Sequence, residues 1–238
     1  MNTILHIDTS GPDALIGISQ DLKIIASKQN SQSNTHGEFV QAGVDELFRD
    51  SATQLKDIDA IGVTMGPGSY TGLRVGLASA KGLAFALNKP LIGLSTLTLL
   101  AKAAVGHLTA TENPLVNEKQ LQVFSMIDAR RMEIFGAIYN SSLGYLAAEK
   151  AMILDEALLL ALLSNGPLIC IGSGVAKTKI LTQHADFQNS SPLFLDYSYT
   201  IHDMAALAMI KFKAADFEDL AYSGPAYLKD YYQKPLIK

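Results

Sequence analysis

A chain of 238 residues in which 48% of the side chains are hydrophobic and 18% are charged carries too much apolar surface to stay disordered, and its length suits one large domain or two small lobes. A formal net charge of −4 excludes tight, independent binding of nucleic acid, which needs clustered lysines and arginines to displace counterions. A lone cysteine, Cys170, excludes an internal disulfide and a cysteine metal cluster; no basic leader precedes an apolar stretch and the run Ala157 to Leu163 is far too short to cross a bilayer, so the expectation is a soluble protein of the reducing cytoplasm with no membrane partner.

Thr3 to Ser10 reads as a buried strand, and Ala14 to Gln20 and Lys23 to Gln29 continue it as an antiparallel meander broken by Gly11-Pro12-Asp13 and Asp21. Thr35-His36-Gly37-Glu38 has the spacing of a capping box, and behind it Phe39, Val40, Gly43, Val44, Leu47 and Phe48 recur on one helical face to about Ser51. Ile58 to Met65 is the next strand, running into the loop Gly66-Pro67-Gly68 and a helix capped by Ser69 or Thr71 that reaches about Leu87. On that helix Gly72, Gly76, Ala80 and Ala84 fall at four-residue intervals and line up as a ridge of small residues, flanked by Leu73 and Leu77. Gly72, Gly76 and Gly82 each cost roughly 1 kcal/mol relative to alanine, so about 3 kcal/mol must be offset by the close approach of another backbone or of a ligand. Leu91 to Leu94 suits a short strand, and Ser95 or Thr96 starts a helix reaching about Val105.

Between Gly106 and Lys119 the periodicity lapses, as in a connection between lobes, and then the first pattern returns in weak form. Gln122 to Asp128 is a strand ending in aspartate, as Ile4 to Asp8 is, with Met132 to Tyr139 as its hairpin partner. Pro167 to Ile171 runs into Gly172-Ser173-Gly174 and a helix from Val175, echoing the Gly66 loop. The expectation is two related α/β lobes: an N-terminal lobe over 1–105, joined by a C-terminal segment over about 205–238, and a smaller lobe over 106–204. A helix around His202 to Lys213 and a docked tail around Gly224 to Lys229 complete the chain.

Asp8-Thr9-Ser10 sits where a strand meets a turn, from which a carboxylate and two hydroxyls can reach a phosphate or a magnesium ion, or can simply satisfy the turn; the pattern leaves both readings open. Gly66, Gly68 and Ser69 offer backbone N–H groups at a helix N-terminus, suited to an anion or to a tight turn, and no Walker Gly-Lys-Ser/Thr follows. The histidines are scattered with no pair at metal-binding spacing, and no Gly-x-Ser-x-Gly elbow occurs, so no catalytic residue and no metal ligand is assigned. Asp128, Arg130, Arg131 and Glu133 form a dense charge cluster that fits a solvated turn or a site equally well.

Ile7-Asp8-Thr9-Ser10, the stretch Gly66-Pro67-Gly68-Ser69-Tyr70-Thr71-Gly72-Leu73-Arg74-Val75-Gly76, Lys81-Gly82-Leu83-Ala84, Asp128-Ala129-Arg130 with Glu133, and Pro225-Ala226-Tyr227-Leu228 together resemble the TsaB (YeaZ) family. The resemblance spans nearly the whole chain in the family's order. It implies an α/β fold of the two-lobed actin, sugar kinase and Hsp70 type, ribonuclease H-like, with a degenerate internal repeat. It also implies a non-catalytic subunit that binds and activates TsaD, the enzyme transferring threonylcarbamoyl to the adenosine next to the anticodon of tRNAs reading ANN codons. The ATPase TsaE joins at the same junction, tRNA is met only through the complex, and the chain alone forms a homodimer. No cofactor is implied to bind tightly, with ATP or ADP placed at the junction with the partner. The first two helices of the family form its TsaD interface, which here assigns Phe39, Val40, Val44 and Leu47 with Leu73, Gly76, Leu77 and Ala80 to partner binding. An autonomous protease or nucleotide-hydrolysing enzyme is the alternative that the wider family suggests. Tyr70 and Lys229 depart from the family's usual phenylalanine and arginine, and Met65 replaces a residue that is often basic.

Overall fold

The computed structural model describes residues 1–31, 36–184, 187 and 190–229; the expected cap at Thr35 lies outside them. Among the described residues, two five-stranded mixed sheets form the frame. The first has the order β3-β2-β1-β4-β5 and comprises β1 (Thr3–Asp8), β2 (Ala14–Gln20), β3 (Lys23–Asn30), β4 (Ala60–Gly66) and β5 (Leu91–Ser95). β1 pairs antiparallel with β2 from Thr3↔Gln20 to Asp8↔Leu15, and parallel with β4 from Ile4↔Ala60 to Ile7↔Val63. Every residue of β1 is buried, as a central strand covered on both faces must be. Leu5 and Ile7 point into a core shared with Val40, Val44 and Leu47 of α1 (His36–Asp50) and Leu77, Ala80 and Ala84 of α2 (Tyr70–Leu87). Ile4 points the other way, into a core with Ile92, Leu94, Ile201 and Met204.

The second sheet repeats this plan with the order β10-β9-β6-β7-β8. β6 (Gln122–Asp128), β7 (Glu133–Tyr139) and β8 (Tyr145–Ile153) are an antiparallel meander, and β9 (Leu168–Ile171) and β10 (Leu193–Leu195) add in parallel. α3 (Thr96–Ala110) covers one face, placing Leu97, Leu100, Ala101 and Ala104 against Val123, Ile169 and Ile171. Residues of α4 (Glu156–Ser164) and α5 (Val175–Leu181) share the opposite core with Phe124, Met126 and Ile138. α6 (Ile201–Lys213) returns to the first sheet, its capping box closed by Thr200 and Asp203. α3 extends one turn beyond the expected end at Val105, and β8, α4 and β10 occupy stretches for which the sequence pattern set no element.

The ridge of small residues on α2 faces inward. A Cβ on Gly72 would collide with the carbonyl oxygen of Thr9, and one on Gly76 with the Thr9 hydroxyl, whose Oγ1 donates to the Gly72 carbonyl at 2.6 Å. The turn after β1 therefore supplies the close backbone approach that these two glycines permit. Gly82 is different, with open space where a side chain would stand.

Candidate functional site

A cavity of about 960 Å³ opens between the carboxyl ends of the two sheets, lined from one side by Asp8, Ser10, Ser69 and Tyr199 and from the other by Asp128 and Ser173. Asp8 ends β1 and is 4% exposed. Its Oδ1 accepts hydrogen bonds from the Thr64 hydroxyl at 2.7 Å and the Ser10 amide at 2.8 Å, and its Oδ2 accepts from the Tyr199 hydroxyl at 2.7 Å. Since Tyr199 gives its proton to Asp8, the 2.9 Å contact between Ser10 Oγ and Tyr199 Oη has serine as donor. Burial first, and the Asp8 charge second, push the Tyr199 phenol well above its usual range, so it stays a donor.

The glycine loop is committed in the same way. It turns through a cis Gly66–Pro67 bond, with Gly66 at φ +114°. The Ser69 amide donates to the Ser10 carbonyl at 2.7 Å, and Ser69 Oγ caps α2 by accepting from the Gly72 amide at 3.2 Å. A Cβ on Gly68 would meet the Ser10 carbonyl oxygen, so the loop lies directly on the turn after β1. The Ala226 amide donates to the Met65 carbonyl at 2.7 Å, and Arg74, over the Tyr70 ring at 4.2 Å, donates from Nε to the Tyr227 hydroxyl at 2.9 Å. Asp8, Thr9, Ser10, Gly66, Gly68 and Ser69 do come together, in a turn-on-loop contact in which the Ser10, Ser69 and Gly72 amides are already engaged.

At the corresponding end of β6, Asp128 accepts from Lys177 Nζ at 2.7 Å and from the Arg130 amide at 2.7 Å, and Lys177 holds its carboxyl below the usual carboxylate range. Arg130 and Arg131 both take positive φ, 72° and 45°, in the tight β6–β7 turn, and Glu133 pairs with Lys229 at 2.5 Å. Thr64, Tyr199 and Lys177 were not among the expected site residues. Tyr199 stands 191 positions from Asp8 with no local motif to mark it, so only the return of α6 to the first sheet brings it in.

The expected partner-binding set is corrected. Val40, Val44, Leu47, Leu73, Leu77 and Ala80 are at most 8% exposed, Gly76 is buried against Thr9, and Phe39 is half-buried, because these faces of α1 and α2 cover the chain's own sheet. The outward face of α2 instead carries Ala78, Gly82 and Phe85, with Phe85 81% exposed. No helix among the described residues is long and apolar enough to cross a membrane.

The family model described as TsaD, tRNA N6-adenosine threonylcarbamoyltransferase, matches residues 23–236. The chain belongs to this family. Within it, the chain is a TsaB (YeaZ) member: it is 33% identical to the tRNA threonylcarbamoyladenosine biosynthesis protein TsaB of Escherichia coli over 58% of this chain and 54% of that protein. It is 31% identical to the Bacillus subtilis protein of the same name over 67% of this chain and 63% of that one, so the matched stretch spans little more than half the length of these relatives. The solved structure of YeaZ from Pseudomonas aeruginosa superposes with a TM-score of 0.76 at 22% identity, covering 96% of this chain and all of that one. The fold is thus α/β, as the resemblance implies, and is shared with that YeaZ structure over nearly the whole chain.

Proposed function

We propose that this chain is a non-catalytic subunit in cytoplasmic tRNA threonylcarbamoyladenosine biosynthesis, binding a TsaD-type threonylcarbamoyltransferase and activating it toward the adenosine beside the anticodon of tRNAs that read ANN codons. The names of its relatives support the pathway. The observation that carries the non-catalytic reading is the state of Asp8, whose two oxygens are already held by Thr64, Ser10 and Tyr199. A carboxylate with its lone pairs engaged and its surroundings buried is a structural group, not a free base or metal ligand.

The surface offered to the partner is the outward side of α1 and α2. Phe85 stands 81% exposed beside Ala78 and the unfilled position of Gly82, an arrangement that lets a second helix approach closely. The same surface serves the homodimer when the chain is alone, a TsaE-type ATPase joins at the junction, ATP or ADP sits at that junction, and tRNA is held by the assembled complex.

Reconstituted tRNA modification with a TsaD-type subunit tests this reading. Activity is expected to depend on adding this chain and to fall at least tenfold with Phe85→Glu, whose melting temperature stays within about 1 °C of the parent because the side chain touches solvent. Equal modification with and without the chain would refute the assignment.

A further inference from the structure

A strip of exposed rings and cations runs from the first turn of α2, over the first sheet, to the β6–β7 turn of the second. The Arg74 guanidinium lies over the Tyr70 ring at 4.2 Å, and the Tyr70 and Tyr227 rings stack with centroids 5.3 Å apart and planes 28° from parallel. Both tyrosines stay in contact with water, Tyr70 at 43% exposure and Tyr227 at 46%. Two residues past Tyr227, Lys229 pairs with Glu133 at 2.5 Å, and the Glu133 amide donates to the Arg130 carbonyl at 3.0 Å. That bond closes the turn that carries Arg130 and Arg131.

The two arginines are costly where they stand. Both are exposed, and their backbones take φ of 72° and 45°, a region in which glycine and asparagine are at ease and a long side chain is strained. The carboxylates that could have held them are taken, Asp128 by Lys177 and Glu133 by Lys229, and neither guanidinium has an ion pair or hydrogen bond among the described residues. Glycine or asparagine would relax the turn, so what arginine supplies there is its charge. Arg74, Arg130, Arg131, Lys177 and Lys229 stand against Asp128 and Glu133, five cations to two carboxylates, in a chain whose net charge is −4.

We propose that this strip binds a single-stranded segment of RNA, with backbone phosphates on Arg130 and Arg131 and an unstacked base against the Tyr70–Tyr227 pair. Uncompensated cations alone would suit any polyanion. The stacked, half-exposed rings in the same strip favour RNA over an acidic protein, because every base has a face that can stack on them. The choice of RNA rests on the pathway proposed above, and it places part of the RNA contact on this chain itself.

Fluorescence anisotropy of an unmodified tRNA transcript titrated with the isolated full chain tests this, with polyglutamate as the competing polyanion. The negative net charge keeps binding weak, and a Kd of about 1–100 μM is expected at low salt. Arg130→Asn/Arg131→Gly, which also relieves both positive-φ positions, is expected to raise the Kd at least tenfold and to lower the slope of log Kd against log salt by about 1.4, with a melting temperature equal to or above the parent's. Arg130→Lys/Arg131→Lys keeps the slope. Tyr70→Leu raises the Kd at least threefold and leaves the slope unchanged, since it removes a ring and no charge. No saturable binding of the transcript, or an unchanged Kd in the Asn/Gly variant or in Tyr70→Leu, would overturn the proposal. Displacement of the transcript by polyglutamate at equal charge concentration would assign the strip to an acidic protein and overturn it too. None of these readouts contains a TsaD-type subunit, so the RNA surface and the subunit role fail separately.

Discussion

Asp8 and Asp128 end the first strand of their sheets at matching registers, opposite Leu15 and Ile134. The surroundings separate them. Asp8 is 4% exposed and held by two hydroxyls and an amide, whereas the Asp128 side chain is 45% exposed and held by one lysine and an amide. The repeat fixes where a carboxylate stands, and side chains arriving from distant parts of the chain fix its chemistry: Thr64 of β4 and Tyr199 just before α6 at Asp8, Lys177 of α5 at Asp128. Asp8→Ala would leave three donors buried without an acceptor, so a loss of about 3–5 kcal/mol in urea unfolding is expected. Asp128→Ala exposes its partner to water and should lose about 0.5 kcal/mol. Similar losses for the two would erase the contrast.

Two residues upstream the contrast continues, with His6 in the first sheet at the place Met126 holds in the second, each facing a glycine across the ladder. His6 is fully buried, with Nε2 2.8 Å from Ser19 Oγ, and burial lowers its pKa to about 3. The imidazole is therefore neutral in the folded protein at neutral pH. The unfolded chain takes up this proton near pH 6.5 and the folded one only near pH 3, so below pH 6.5 the unfolded state binds more protons and stability falls as pH falls. A loss of about 2 kcal/mol between pH 7 and pH 5 is expected from this residue. His6→Met, which copies the second sheet, should flatten that slope in denaturant titrations at the two pH values.

The glycines extend the comparison to the loops. Gly68 and Gly72 lie on Ser10 and Thr9 after β1, and Gly172 and Gly174 lie on Met126 of β6, so each sheet presses a glycine loop against its first strand. Gly72→Ala meets a backbone oxygen that cannot swing aside and should destabilise by about 1–3 kcal/mol. Gly82→Ala meets nothing and should stabilise by about 0.5–1 kcal/mol through helix propensity alone. Thermal melts of the two variants moving in the same direction would mean that the ridge of α2 is not packed as described.

Much of this arrangement is legible in the chain. Ile4, Leu5 and Ile7 in the short run before Asp8 announce a buried strand, Gly11-Pro12-Asp13 marks the first turn, and Asp8 with Asp128 at the ends of two such runs exposes the repeat in the sequence itself. The direction of the α2 ridge is not legible, because Gly72 and Gly76 sit beside Leu73 and Leu77 and all four turn out to be buried. Small and large residues both suit a core, so periodicity gives the stripe and not which neighbour covers it. Thr9 decides that, through a contact 63 residues away in sequence. Tyr199 escapes for the same reason, and β8 escapes because an edge strand with Glu149 and Lys150 among its alanines lacks a clean apolar alternation.

The finest test concerns the ion pair at the second strand end. Lys177 Nζ donates to Asp128 Oδ1 at 2.7 Å and to the Glu133 carbonyl at 2.8 Å. Because Lys177 depresses the Asp128 pKa in the folded state, the pair's contribution is complete above the unfolded carboxylate value of about 3.9 and disappears as pH falls through the folded value. Solvent screening at this half-open site limits the contribution to about 0.5 kcal/mol. Lys177→Met should therefore be less stable than the parent by about that amount at pH 7 and low salt. The gap should narrow on adding salt and on acidification below pH 4, while the Asp8 network, shielded from water, keeps its effect at both salt concentrations. A gap at pH 7 that ignores salt would place the stabilisation in the packing of the lysine stem over β6 and β7, leaving the charge with no role there.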